Sequence, residues 1–237
     1  MNITKMTSTA KTTVLTGRTI DYIVIHYTAG KTSKAGSAAA NARYYADGKA
    51  EASSDFIVDD SGVVCYNPDI KNSYTWHCGG GRLPASLGGK LNGICRNSNS
   101  IGIEMCSNLE KGYEPEANCG GYTLTEAVIE QTAELTRELM KEYGIPADHV
   151  VRHYDVTGKL CPGVYGWNKE SGDESEWNRF RALLYRSDNH KDPNEPSPWA
   201  KEAWQWARSK SVMDGTRPHD PVTREELATV LFRMWGA

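Results

Sequence analysis

The chain has 237 residues, with 30 acidic against 27 basic side chains for a net charge of −3, and 39% apolar and 24% charged residues. It is too apolar for a disordered chain, lacks the Lys/Arg block of a nucleic-acid binder, and has no apolar run near the length of a membrane span. Its length suits one or two domains. Met1 to Gly17 is Thr/Ser/Lys-rich without an apolar h-region, so no signal peptide is read and synthesis in a cytoplasm is expected. The six cysteines (65, 78, 95, 106, 119 and 161) are sparse for a disulfide framework and form no Cys-x-x-Cys pair. They are expected to be reduced core or loop residues.

In chain order, Asp21–Tyr27 (DYIVIHY) reads as a buried strand ending at Thr-Ala-Gly, and the Ala-rich Ser37–Ala46 as a helix. Ser54–Asp59 and Val63–Tyr66, joined by Asp60-Ser61-Gly62, predict a hairpin. Glycine-rich Gly79–Asn99 suits a mobile loop. Ser100–Cys106 alternates, placing Ile101, Ile103 and Met105 on one face and Gly102, Glu104 and Cys106 on the other. Thr123 with Glu126 predicts a capping box opening a helix with Val128, Thr132, Leu135 and Leu139 on one stripe, ending near Gly144. Val150–His153 predicts a short strand, and Trp177, Phe180 and Leu184 a closing helix. The alternation of strands and helices over some 185 residues indicates an α/β domain. Asp188–Pro198, polar with three prolines, reads as a linker, and two helical stretches follow it.

Two histidines end apolar strands, His26 after Tyr-Ile-Val-Ile and His153 after Val-Val-Arg, and Cys161 follows in the loop HYDVTGKLCPG. Two imidazoles and a thiolate suit zinc, and three protein ligands leave a fourth tetrahedral position open. Each residue alone is more commonly a structural His or a buried thiol, and a closed four-ligand structural site stays an alternative. Glu104, opposite the apolar face of its strand, and Lys159 are the residue types that a zinc hydrolase needs as base and oxyanion partner. A solvent-facing Glu and a solvated loop Lys are the plain alternatives.

DYIVIHYTAG, SSDFIVDDSGVV, NSYTWHCGGG, NSNSIGIEMC and HYDVTGKLCPG follow one another in this order. Over about residues 18 to 185, this series resembles the zinc-dependent N-acetylmuramoyl-L-alanine amidases of type 2, the superfamily of phage endolysins and peptidoglycan recognition proteins. The resemblance implies a central, mostly parallel mixed sheet flanked by helices, with Zn2+ on His26, His153 and Cys161 at one end of a peptidoglycan groove. It further implies Glu104 and Lys159 as catalytic residues and His77 as a groove-lining, substrate-binding residue. The implied reaction cleaves the amide between N-acetylmuramic acid and L-alanine in the Gram-positive wall. An endolysin made in the host cytoplasm and acting on the wall after release is the leading reading. A bacterial autolysin or a non-catalytic peptidoglycan-binding relative are the alternatives. One departure is that Ser53-Ser54-Asp55 precede Phe56 where some relatives place a catalytic Tyr.

Residues 1–186 are thus read as the catalytic domain, 187–198 as a linker, and 199–237 as a helical hairpin. The last resembles a single S-layer homology motif in its Trp-Ala-Lys-Glu-Ala start, Gly-Thr-Arg-Pro turn and Thr-Arg-Glu. Such motifs usually act in threes on secondary cell-wall polymers. A single copy suggests wall targeting, homodimer formation through the helices, or stabilisation of the first domain.

Overall fold

The computed structural model describes residues 3–6, 8–114, 120–186, 196, 201–210, 212–216 and 224–235. Its elements are β1 (Ile3–Lys5), β2 (Thr12–Val14), β3 (Tyr22–Tyr27), α1 (Ser37–Ala46), β4 (Phe56–Asp59), β5 (Gly62–Cys65), β6 (Ser73–Thr75), β7 (Ser100–Met105), β8 (Asn108–Leu109) and β9 (Tyr122–Thr123). They continue with α2 (Glu126–Tyr143), β10 (Val150–Arg152), α3 (His153–Thr157), α4 (Ser175–Leu183), α5 (Lys201–Ser209) and α6 (Arg224–Trp235). Two compact units result, Met1–Tyr185 and Arg186–Ala237.

The first unit is an α/β fold around a six-stranded mixed sheet of order β1-β5-β4-β7-β3-β10. Only β4 and β5, the two arms of the hairpin, pair antiparallel in this sheet. Successive residues of a strand point to opposite faces. On one face Ile23, Ile25, Phe56, Val58, Ile101, Ile103 and Met105 form a single core with the apolar stripe of α2 and with Trp177 and Phe180 of α4. Burying a side chain of this size contributes about 1.5–3 kcal/mol, so this face holds the sheet together. The other face is covered in two patches. Ala38, Ala42 and Tyr45 of α1 cover Ile57 and Val64, while Cys78, Cys95 and Val156 cover Val24 and Val151. Between these patches lie His26 of β3 and Gly102 and Glu104 of β7, two neighbouring parallel strands.

Two boundaries differ from the sequence expectation. Thr123 is held in the β8–β9 ladder opposite Asn108, so the α2 cap falls on Thr125, whose Oγ1 accepts from Val128 N at 3.3 Å. His153 does not extend β10, because Asp155 Oδ2 accepts the Arg152 amide at 2.8 Å and turns the chain into α3. Buried Arg152 is gripped by Asp155 and by Glu174 at 2.8 Å, which fixes the residue immediately before His153. Gly144 closes α2 in the left-handed conformation at φ 69°, with its N–H on Met140 O, as glycine permits without steric cost. Apart from Pro196, residues 187–198 lie outside the described residues, as do Cys119, Trp199 and Thr223. In the second unit, Leu227, Leu231 and Phe232 of α6 are exposed.

Candidate active site

Strand register builds the site. His26 of β3 stands opposite Glu104 of β7, and Arg152 of β10 stands opposite Ile25, which brings His153 beside His26. The two imidazoles meet edge to face, with ring centroids 4.9 Å apart. The chain then returns to them. Tyr154 N donates to Cys161 O at 3.0 Å and Cys161 N to Lys159 O at 2.7 Å, a tight closure that carries the thiol back over α3. Cys161 Sγ lies 3.6 Å from His26 Nδ1. One donor atom from each of His26, His153 and Cys161 lies within 4.8 Å of the others, and all three residues are buried.

Electrostatics give this cluster its character. Burial drives the His26 pKa well down, helped by His153, His77 and Lys159, and it lowers His153 to about 3, with Lys159 and His77 adding to the effect. Burial also pushes the Cys161 thiol up to about 12, with Glu104 adding to it, against the opposing pull of Lys159 and a backbone hydrogen bond from Tyr27. The set is therefore two neutral imidazoles and a thiol, buried together. A divalent cation would draw the thiol to thiolate and use the free imidazole lone pairs. Two nitrogens and one sulfur also match zinc better than calcium or magnesium, which prefer oxygen. The residues present fit zinc.

Glu104 supplies the second element. Its Oε2 is buried and has no hydrogen-bond partner among the described residues. Burial raises its pKa to about 8 against the opposing charges of Lys159 and His77. A cavity of about 470 Å³ adjoins the site, lined by Trp76, His77, Leu83, Asn97, His153 and Lys159 among others. Lys159 is exposed at its rim. Tyr45 of α1 is a neighbour that no sequence motif singles out. Burial raises its phenol pKa well above the usual value, with Glu104 the next cause.

His77, expected to line the groove, borders that cavity but is itself buried. Its Nδ1 lies 3.1 Å from His26 Nε2 and its Nε2 3.2 Å from Ser100 Oγ. Burial lowers its pKa, yet Cys78 and Asp55 outweigh that and leave it raised. The Ser53-Ser54-Asp55 stretch has structural work in place of a tyrosine's. Ser53 Oγ donates to Lys11 O at 2.6 Å, and Asp55 accepts from Asn67, Thr75 and the Gly102 amide at 2.8–2.9 Å. The glycine-rich stretch, expected to be mobile, is instead fastened to α3. Leu83 N, Gly89 N and Leu91 N donate to Thr157 O, Tyr154 O and Asp155 O at 2.7–2.9 Å, and Glu170 accepts from Ser86 Oγ and Leu87 N.

Residues 16–164 match the family model described as N-acetylmuramoyl-L-alanine amidase. Two amidases of Bacillus subtilis strain 168 are similar in sequence. CwlH is 32% identical over 177 residues, covering 75% of this chain and 57% of its own, and BlyA is 29% identical over 181 residues, covering 73% and 45%. The chain thus spans about half the length of the curated relatives it matches. Among solved structures, the catalytic domain of XlyA is similar at 24% identity and TM-score 0.53, covering 78% of this chain and 99% of its own. PlyL is similar at 22% identity and TM-score 0.55, covering 78% and 98%. At these identities the structures establish the shared fold.

Proposed function

The chain belongs to the N-acetylmuramoyl-L-alanine amidase family, and on that premise we propose that it is a zinc hydrolase cutting the amide between N-acetylmuramic acid and L-alanine in peptidoglycan. The observation that carries this reading is the convergence of His26, His153 and Cys161 within 4.8 Å, beside the partnerless carboxylate oxygen of Glu104. His26, His153 and Cys161 would hold the metal. When bound, zinc supplies Lewis-acid polarisation of the scissile carbonyl and makes water a stronger acid.

The chain's own residues do the rest. The Glu104 carboxylate takes a proton from the attacking water, whose oxygen bonds to the lactyl carbonyl carbon, and then delivers that proton to the departing L-alanine nitrogen as the C–N bond breaks. A pKa near neutrality, brought about by burial, suits a group that must accept and then release a proton. Lys159, an exposed residue of the cavity lining, stabilises with its ammonium the oxyanion formed at the carbonyl. The products are a free lactyl carboxylate and a stem peptide with a free L-alanine amine.

The substrate is read as Gram-positive peptidoglycan, and the protein as an endolysin acting on the wall after release. The exposed Leu227, Leu231 and Phe232 of α6 support reading the C-terminal helices as a wall-associated or self-associating segment, with a secondary wall polymer or a second copy as partner. The test is incubation of the purified chain with Gram-positive sacculi, with and without a chelator, followed by mass spectrometry of the products. Chelator-sensitive release of stem peptides with a free L-alanine N-terminus is the expected result. Sedimentation with the sacculi without new amines overturns the hydrolase reading in favour of a peptidoglycan-binding protein.

A further inference from the structure

The hydrogen bonds behind His26 form a directed chain that can be read from its far end. Ser100 Oγ donates to the Arg96 carbonyl at 2.6 Å, which uses the hydroxyl's one proton. The same oxygen lies 3.2 Å from His77 Nε2, so it can only accept there, and His77 Nε2 carries the hydrogen. Cys78 Sγ also lies 3.6 Å from this oxygen. In its neutral form His77 has one N–H, already placed on Nε2, so its Nδ1 is an acceptor, and it faces His26 Nε2 at 3.1 Å. His26 Nε2 then carries the hydrogen, and the lone pair is left on Nδ1, the atom on the Cys161 side.

The surroundings hold His77 to this task. Asn97 Oδ1 accepts the backbone amides of both His77 and Cys78, at 3.1 and 2.7 Å. Gly102 leaves the ring its space, since a Cβ there would sit 2.6 Å from His77 Cγ and 2.9 Å from Nδ1. A glycine in the middle of a strand marks such a close approach.

We propose that His77 is a positioning residue for zinc binding: it fixes His26 in the tautomer that presents Nδ1 to the metal, through a chain anchored on the Arg96 carbonyl. This rests on the zinc reading above, and it gives His77 a role apart from substrate contact. A His26 left to choose its tautomer would spend part of its time with an N–H aimed at the ligand position, and groups that orient metal-ligating histidines typically contribute 10–100-fold in metal affinity.

The test uses the full chain. Nitrogen-15 NMR of the metal-free protein should show His26 as the Nε2–H tautomer in wild type and as a mixture in His77→Ala. In competition with a chromogenic chelator, His77→Ala should bind zinc about 10–100-fold more weakly. His77→Asn, whose Oδ1 stands near the Nδ1 position, should recover most of that loss. Ser100→Ala, which leaves His77 in place and removes its acceptor, should show a smaller loss and serves if His77→Ala fails to fold. A wild-type His26 with its hydrogen on Nδ1, as a doubly protonated His77 would require, overturns the proposal. So does a folded His77→Ala variant with wild-type zinc affinity. Zinc uptake by wild type is measured first, because its failure overturns the metal reading itself, whereas the variant-to-wild-type ratio and the tautomer decide the role of His77.

Discussion

Replacing Glu104 by Gln should move stability and activity in opposite directions. The side chain keeps its shape, but the group that burial forces to hold a proton is gone. In the metal-free protein the Glu104 pKa is raised from 4.5 to about 8, with burial the main cause. An acid whose folded pKa lies above its unfolded value favours the folded state fully only below the unfolded pKa, and that contribution is lost as pH rises through the folded pKa. Between pH 4.5 and 7 the loss accumulates at about 1.4 kcal/mol per pH unit, an upper bound of roughly 3 kcal/mol. Glu104 is only partly buried, so solvent screening reduces this to ~1–3 kcal/mol. In urea denaturation with chelator present, Glu104→Gln should therefore be more stable than wild type by ~1–3 kcal/mol at pH 7, with the gap closing by pH 4. Release of L-alanine-terminated peptides should fall by about 10²–10⁴-fold, the usual contribution of a general base. A variant that turns over at the wild-type rate refutes Glu104 as the base. One that is less stable than wild type at pH 7 refutes the argument from its burial.

Further perturbations follow from the same geometry. His26→Ala and Cys161→Ser should each lose zinc and hydrolysis together, read by elemental analysis of the dialysed protein alongside product release, since each removes one of the three proposed ligands. Lys159→Met should keep the metal and lower kcat by about 10²–10³-fold, the usual loss when an oxyanion partner is removed. A steady-state comparison that finds KM alone changed would place Lys159 in binding. Thr125→Ala should cost about 0.5–2 kcal/mol by denaturant titration through loss of the α2 cap, whereas Thr123→Ala, outside the cap, should not show that loss.

The cluster of His26, His153 and Cys161 was legible because its members sit where the chain pattern changes, His26 and His153 at strand ends and Cys161 in the loop between elements. The face of Glu104 followed from simple alternation against Ile101, Ile103 and Met105. The α2 stripe was equally readable from its spacing, yet its cap was misplaced, because the ladder that holds Thr123 joins segments distant in sequence. The same limitation hid the groups around His77. Ser100, Asn97 and Asp55 are unremarkable in a one-dimensional pattern and gain their roles only once β7, β6 and the hairpin are neighbours. One signal was there to use: Gly102, inside a strand between Ile101 and Ile103, is the kind of gap that another group fills. The glycine-rich stretch misled in the other direction. Its composition suggests freedom, but several of its amides terminate on the carbonyls of α3.

That fastening has a consequence for anyone wishing to redirect the protein to another cell wall. The stretch from Leu83 to Leu91, which contributes Leu83 to the cavity wall, satisfies three carbonyls of the helix that opens with His153. Gly88 lies so close to Tyr154 O and Gly158 Cα that a Cβ would stand 2.3 and 3.0 Å from them. Exchanging this loop for a foreign one would leave those carbonyls bare and disturb the segment that carries His153 and Cys161, two of the three proposed ligands. Specificity is better sought by altering outward side chains such as Leu83 and Leu87 on an intact backbone, because in this molecule the cavity wall and the hinge of the proposed metal site are one piece.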